Sequence, residues 1–241
     1  MMFHTLCSFV ASTLMSLGLS SECSNFLFVH LSFEDFHCLK ELFLLGLSLG
    51  IIVFSSVLKI PQIVKLFKQG SAKELSLLSV VLDIVCYTIG ISYSLFKTLP
   101  FAAFGESIPL ILQSLIIFLL VLWFEYQTAV PTIIALLAGV SLTQLILFSG
   151  IIGEHIVLLQ KCVILFGIVS RIVQLRKLFK SRTALSISLL SVFFMFFGNF
   201  IRFITLLSTK DSLIIASSGT GVILNGMIFF TSFHFSKNKI E

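Results

Sequence analysis

The sequence predicts an all-α membrane protein of seven transmembrane helices, arranged as two pseudo-repeated three-helix bundles joined by a linker helix. Three observations carry this expectation. The 241 residues are 57% hydrophobic and 11% charged, with a mean hydropathy of +1.11, which leaves too little polar surface to wrap a soluble core of this size. The apolar residues fall in continuous runs rather than in ten-residue alternation, and this excludes a transmembrane barrel. Finally, one stretch of the chain occurs twice, the mark of a repeat architecture.

Runs long enough to cross a hydrocarbon layer of about 30 Å lie at roughly 42–58, 75–96, 107–124, 130–149, 156–170, 184–207 and 212–235. The expected organisation is a non-cytosolic segment over 1–41, a first bundle over 42–124, a linker helix over 125–149, a second bundle over 150–235 and a cytosolic tail over 236–241. The repeat fixes the two halves. Shifting the sequence by 112 residues lays Lys59-Ile60-Pro61-Gln62 over Arg171-Ile172-Val173-Gln174, and 12 of the 22 positions from Lys59 to Val80 are then identical without a gap.

Basic residues set the orientation. With the first span running inward, eleven of the sixteen Lys and Arg residues face the cytosol, among them Lys59, Lys65, Lys68, Lys73, Arg171, Arg176, Lys177, Lys180, Lys237 and Lys239. Topology and attraction to anionic lipid headgroups account for the net charge of +5, so no nucleic-acid partner is implied.

The stretch Phe3 to Leu19 is moderately apolar and has no basic residues ahead of it. It is expected to lie at the interface or be weakly ordered, neither a cleaved signal nor an eighth span. Cys23 and Cys38 follow on the side away from the cytosol, where thiols oxidise; they are either disulfide-bonded or two unpaired thiols. No cysteine pair has metal-ligand spacing, and no metal or cofactor is expected.

Pro61 stands where the first span emerges toward the cytosol. It removes one backbone hydrogen bond and crowds the carbonyl of Val57, so a kink is expected beside the polar Lys59 and Gln62. Gly70 ends that helix, and Ser71-Ala72-Lys73-Glu74 has the form of a capping box for the next. The second copy has Val173 in place of Pro61, with Thr183 as the corresponding cap, and a straighter helix follows from that exchange.

Asp83 lies well inside the second span. A carboxylate there costs about 2.5 kcal/mol or more and is expected to face a polar interior, with Tyr87 one turn on as its donor. Its counterpart in the second copy is Met195, so the polar site is asymmetric. Glu106 heads the third span, as part of a site or as an N-terminal charge favoured by the helix dipole. Gln113 lies two turns further in, and the second half offers Arg171, Gln174, Asn199, Arg202 and Asn225. No nucleophile elbow, phosphate loop or zinc signature is present, and no acid–base pair can be assembled, so an enzyme is not expected. Lys237 and Lys239 stand fifth and third from the end and resemble the dilysine retrieval signal read by coat proteins of the early secretory pathway.

The Pro-Gln pair, its repetition after a linker and the three-plus-one-plus-three count resemble the PQ-loop family, which is similar in build to the small sugar transporters called SWEETs. The signature is Leu58-Lys59-Ile60-Pro61-Gln62, then Ser71-Ala72-Lys73-Glu74-Leu75-Ser76-Leu77, Leu99-Pro100-Phe101, Gly105-Glu106 and Leu112-Gln113. Downstream, Ser170-Arg171, Gln174, Arg202 and Asn225-Gly226 carry it more weakly. Within the family, the likeness is greatest to members needed for the use of dolichyl-phosphate mannose, although Asp83 stands where Glu is expected.

That resemblance implies an endoplasmic-reticulum protein, with the N-terminus lumenal and the C-terminus cytosolic. It further implies a part in lumenal N-glycan precursor assembly, O- and C-mannosylation and glycolipid-anchor synthesis, without catalytic activity. The expected partners are a dolichyl-phosphate-linked sugar, membrane lipid, glycosyltransferases and, at the tail, coat proteins. The expected substrate path lies between the two bundles and is lined by Gln62, Asp83, Glu106, Gln113, Gln174, Arg202 and Asn225. Pro61 supplies the bend, and Lys59 or Arg171 meets the phosphate. A transporter of a small soluble solute and a non-transporting assembly factor for glycosyltransferases are the alternatives.

Overall fold

The computed structural model describes residues 2–29, 35–72, 77–126, 139, 155–181 and 189–237. Among them the secondary structure is helical throughout, and six helices are long and apolar enough to cross a membrane. The chain divides into two compact units, residues 1–160 and 161–241. The linker span expected at 130–149 lies outside the described residues except for Gly139, and Lys73, Glu74, Thr183 and Lys239 lie outside them too.

The first unit begins with α1 (Met2–Leu17) and α2 (Ser21–Ser24), followed by a π-helical turn, Asn25–Val29. This head is not the loose interfacial segment that its mixed composition suggests. Leu19, Cys23 and Leu27 form a buried cluster with Cys38 and Leu45 of α3 (Phe36–Leu58), and a disulfide joins Cys23 to Cys38. The carboxylate of Glu41 accepts from both the backbone N–H and the hydroxyl of Ser20, at 3.0 and 2.7 Å. Gly18 permits the turn between α1 and α2. Its φ of +128° disfavours other residues, and a Cβ would stand 2.9 Å from Pro100.

α3 starts at the N-cap Asp35, whose side chain accepts from the His37 amide; this satisfies one of the orphan donors at a helix start. It stops at Leu58, and α4 (Ile60–Gln69) begins one residue later with Pro61 in its first turn. Lys59 between them has φ −95° and ψ −1°. The helix is therefore broken at Lys59, two residues ahead of the Pro61 at which a kink is expected. The chain stays helical beyond it, Phe36–Gln69 being one stretch of 34 residues with an apolar part long enough to cross a membrane, and Lys65 and Lys68 lie about 9 and 14 Å beyond Lys59 at 1.5 Å per residue. α4 then ends at Gly70 in the left-handed conformation, φ +59°, where a residue without Cβ carries no steric penalty.

α5 (Leu77–Phe96), a 3₁₀ turn Phe101–Ala103 and α6 (Ser107–Tyr126) complete the described part of the first bundle. Leu66 of α4, Val80 of α5 and Ile117, Leu120 and Val121 of α6 share one core. Gly105 sets the approach of α6 to α3, because a Cβ there would stand 2.7 Å from Ile52 Cδ1 and 2.8 Å from the Phe101 ring. Parallel helices in contact at Ile52 and Gly105 bring Gln113, two turns further on, level with the break at Lys59.

In the second unit, α7 (His155–Ser181) runs unbroken through Val173, as the exchange of Pro for Val predicts. α8 (Leu189–Leu206) and α9 (Ser212–Lys237) pack through an aromatic ladder. Phe196 and Phe229 stack with ring planes 3° apart and centroids 5.8 Å apart, within the range that favours aromatic pairs.

Candidate functional site

A helix that breaks inside a membrane leaves backbone groups without partners and without water to replace them. Pro61 has no N–H for the Val57 carbonyl, which accepts from the Lys59 amide instead; the carbonyls of Ser55 and Ser56, which Lys59 and Ile60 would serve in a continuous helix, lie at the break. Gln113 of α6 closes it. Its Oε1 accepts from the Lys59 amide at 2.8 Å, and its Nε2 donates to the Ser55 carbonyl at 3.0 Å and the Ser56 carbonyl at 2.7 Å. One buried carboxamide, 6% exposed, thus makes three hydrogen bonds to main-chain groups at the break.

The break also aims the Lys59 side chain across the bundle. Its Nζ donates to Asp83 Oδ2 of α5 at 2.7 Å and to Ser114 Oγ of α6 at 2.7 Å, and lies 5.3 Å from the centre of the Tyr87 ring. Asp83 stands six residues along α5 from Leu77, about 9 Å by rise. An unpaired cation or carboxylate at the centre of a bilayer costs about 2.5–3.5 kcal/mol on insertion scales, and pairing cancels the net charge. The two partners differ in access, with Lys59 side-chain exposure at 13% and Asp83 at 53%. Tyr87 does not fill the role of carboxylate donor expected of it; its ring face lies beside the ammonium, a cation–π arrangement.

Of the residues singled out from sequence, Lys59, Asp83 and Gln113 therefore meet, with Pro61 creating the geometry. Gln62 lies half-buried one residue past Pro61. Glu106 is half-buried ahead of α6, near enough for its charge to act on Tyr87. Lys59 points inward to Asp83 rather than standing free at the cytosolic face.

Among its described residues, the second unit shows a different arrangement at the matching positions. Arg171 Nη1 donates to Gln174 Oε1 at 3.3 Å, one turn along the same helix. Asn225, the counterpart of Gln113, donates to the Gly221 carbonyl of its own helix at 2.9 Å. Asn199, the counterpart of Tyr87, donates to the carbonyl of Met195 at 2.7 Å. Arg202 is half-buried on α8.

Sequence reading missed Ser114, which is fully buried and accepts from Lys59. The signal was present as a second polar residue beside Gln113 in an apolar span. The backbone role of Gln113 was also missed, because the groups it satisfies are main-chain atoms with no signature in side-chain identity.

This architecture is a helix break bridged by a side chain of a neighbouring helix, with an ion pair beside it. Residues 43–103 match the family model described as PQ loop repeat. The matched segment carries a PQ-loop repeat domain. It runs from α3 through α5 to the 3₁₀ turn, and so contains Lys59, Pro61, Gln62 and Asp83 but stops short of Gln113 and Ser114. No solved structure matches the chain. With its apolar helices, the chain is a multi-pass membrane protein bearing a PQ-loop repeat.

Proposed function

We propose that this protein acts in the endoplasmic-reticulum membrane on dolichyl-phosphate mannose and the glucose analogue, presenting or moving the sugar-phosphate head so that lumenal glycosylation can use it. The observation that carries the reading is the Lys59–Asp83 pair beside the helix break between α3 and α4. Intramembrane ionisable residues mark ligand pathways by default, and discontinuous helices in membranes serve as ligand-binding and gating elements. The likeness of Leu58-Lys59-Ile60-Pro61-Gln62, Leu99-Pro100-Phe101 and Gly105-Glu106 to the mannose-P-dolichol utilization defect protein supplies the substrate.

In this reading the protein is not an enzyme. Its polar cluster lowers the cost of bringing a sugar-phosphate into hydrocarbon, while the polyprenyl tail stays in lipid. The lumenal side is the side of the disulfide-stapled head, and Lys237 with Lys239 forms a cytosolic retrieval signal. Membrane lipid, glycosyltransferases and coat proteins are its partners.

The test is reconstitution of the full-length protein into vesicles with a labelled dolichyl-phosphate mannose analogue, scored for transbilayer movement. Acceleration over empty vesicles, lost in Asp83→Asn, is expected for a mover. Binding without acceleration assigns presentation. Neither binding nor acceleration overturns the proposal. In that case uptake of a small soluble solute favours the transporter alternative, and co-purification of glycosyltransferases favours the assembly factor.

A further inference from the structure

The ion pair at the break is built unequally. Lys59 is fixed on every side: Gln113 holds its amide, Asp83 and Ser114 take two of its ammonium protons, and the Tyr87 ring flanks it. Asp83, in contrast, is 53% exposed against 13% for the lysine. The anion is therefore the replaceable partner. An ammonium donates and never accepts, so only another acceptor of negative charge can take the place of the carboxylate without leaving a bare cation in the membrane. Ser114 Oγ accepts from Lys59 and keeps its own O–H to donate to an incoming oxygen.

We infer that Lys59 and Ser114 form a binding site for the phosphate of a lipid head group, and that Asp83 is its resident stand-in, shutting the site until phosphate displaces it. This rests on the proposed function and adds how the site is regulated. Exchange of carboxylate for phosphate keeps the cation paired, while Gln113 keeps the Lys59 main chain in place. Binding must also overcome the Asp83 contact, so apparent affinity falls by the fraction of molecules in which the site is open.

The experiment uses full-length protein in phosphatidylcholine nanodiscs and measures binding of farnesyl phosphate, with farnesol as the phosphate-free control. Asp83→Asn removes the competing charge and is expected to tighten farnesyl phosphate binding by about 10- to 100-fold, the gain from opening a site that is open in 1–10% of molecules. Farnesol binding stays unchanged. Lys59→Gln with Asp83→Asn leaves a neutral cluster that does not strand a charge, and this double variant is expected to lose the gain. Binding of farnesyl phosphate, phosphatidic acid and inorganic phosphate all unchanged or weaker in Asp83→Asn overturns the inference, as does a gain that survives in the double variant. Discs containing phosphatidic acid, and inorganic phosphate in solution, separate the sources of phosphate. A Lys59-dependent gain with phosphatidic acid but none with farnesyl phosphate leaves the latch standing and overturns the dolichyl-lipid reading.

Discussion

The two repeats carry nearly the same sequence over one stretch and do opposite things with it. In the first, Pro61 opens the helix and Gln113 closes the opening from a neighbouring helix. In the second, Val173 lets α7 run straight, no main-chain group needs an outside partner at that level, and Asn225 turns back onto its own helix. Asp83 and Met195 complete the contrast, since a carboxylate holds Lys59 in one copy and an apolar side chain stands at the matching place in the other. A proline alone does not make a hinge in a membrane; it needs a side chain elsewhere that can satisfy what the proline leaves open.

The sharpest way to break this comparison is Gln113→Leu. It removes the donor to the Ser55 and Ser56 carbonyls and leaves the Lys59 amide with the Val57 carbonyl alone, and each orphaned buried group costs about 1–3 kcal/mol. The expected loss is about 3 kcal/mol or more, seen as a lower midpoint of thermal unfolding in detergent and poor recovery of folded protein. Adding Pro61→Val should restore part of that stability, because a continuous helix satisfies those groups itself. A double variant no more stable than Gln113→Leu alone counts against the plug.

Next in size is the ion pair. Lys59→Gln and Asp83→Asn each leave one charge short of its partner, an expected cost of about 1.5–3 kcal/mol for a hydrogen bond to a charged group. The half-open position of Asp83 puts that variant at the lower end. The double neutral variant should be more stable than Lys59→Gln, since it strands no charge. Strict additivity of the two losses, read from denaturation midpoints, argues that the side chains are not coupled.

The smallest effect belongs to Asn225→Leu, which removes one hydrogen bond within a helix at a cost of about 1 kcal/mol or less. A loss as large as that of Gln113→Leu would show that the second repeat depends on the same device.

Much of this fold was legible in the sequence because lipid constrains it simply. Continuous apolar runs marked the six described spans, and the exchange of Pro61 for Val173 marked which repeat bends. The one-residue break at Lys59 was not legible, because an apolar run reads the same whether a proline ends a helix or interrupts it, and the helical continuation α4 follows directly. The packed head was missed for a related reason: Leu19, Leu27 and Leu45 belong to one core, but no periodicity connects residues so far apart. At the site, Asp83 and Gln113 stood out as polar residues in apolar spans. Their meeting at Lys59 depends on the register between α3 and α6, which the steric limit at Gly105 sets.

The central claim, that Gln113 closes a break present only in the first repeat, is tested most directly by amide hydrogen exchange in nanodiscs on the wild type, Gln113→Ala and Asn225→Ala. The wild type should show the Lys59 amide protected despite the break, as is the stretch around Val173. Gln113→Ala should raise exchange at Lys59 and leave the region from Arg171 to Leu175 unchanged, and Asn225→Ala should alter neither. Unchanged protection of Lys59 in Gln113→Ala would contradict the account.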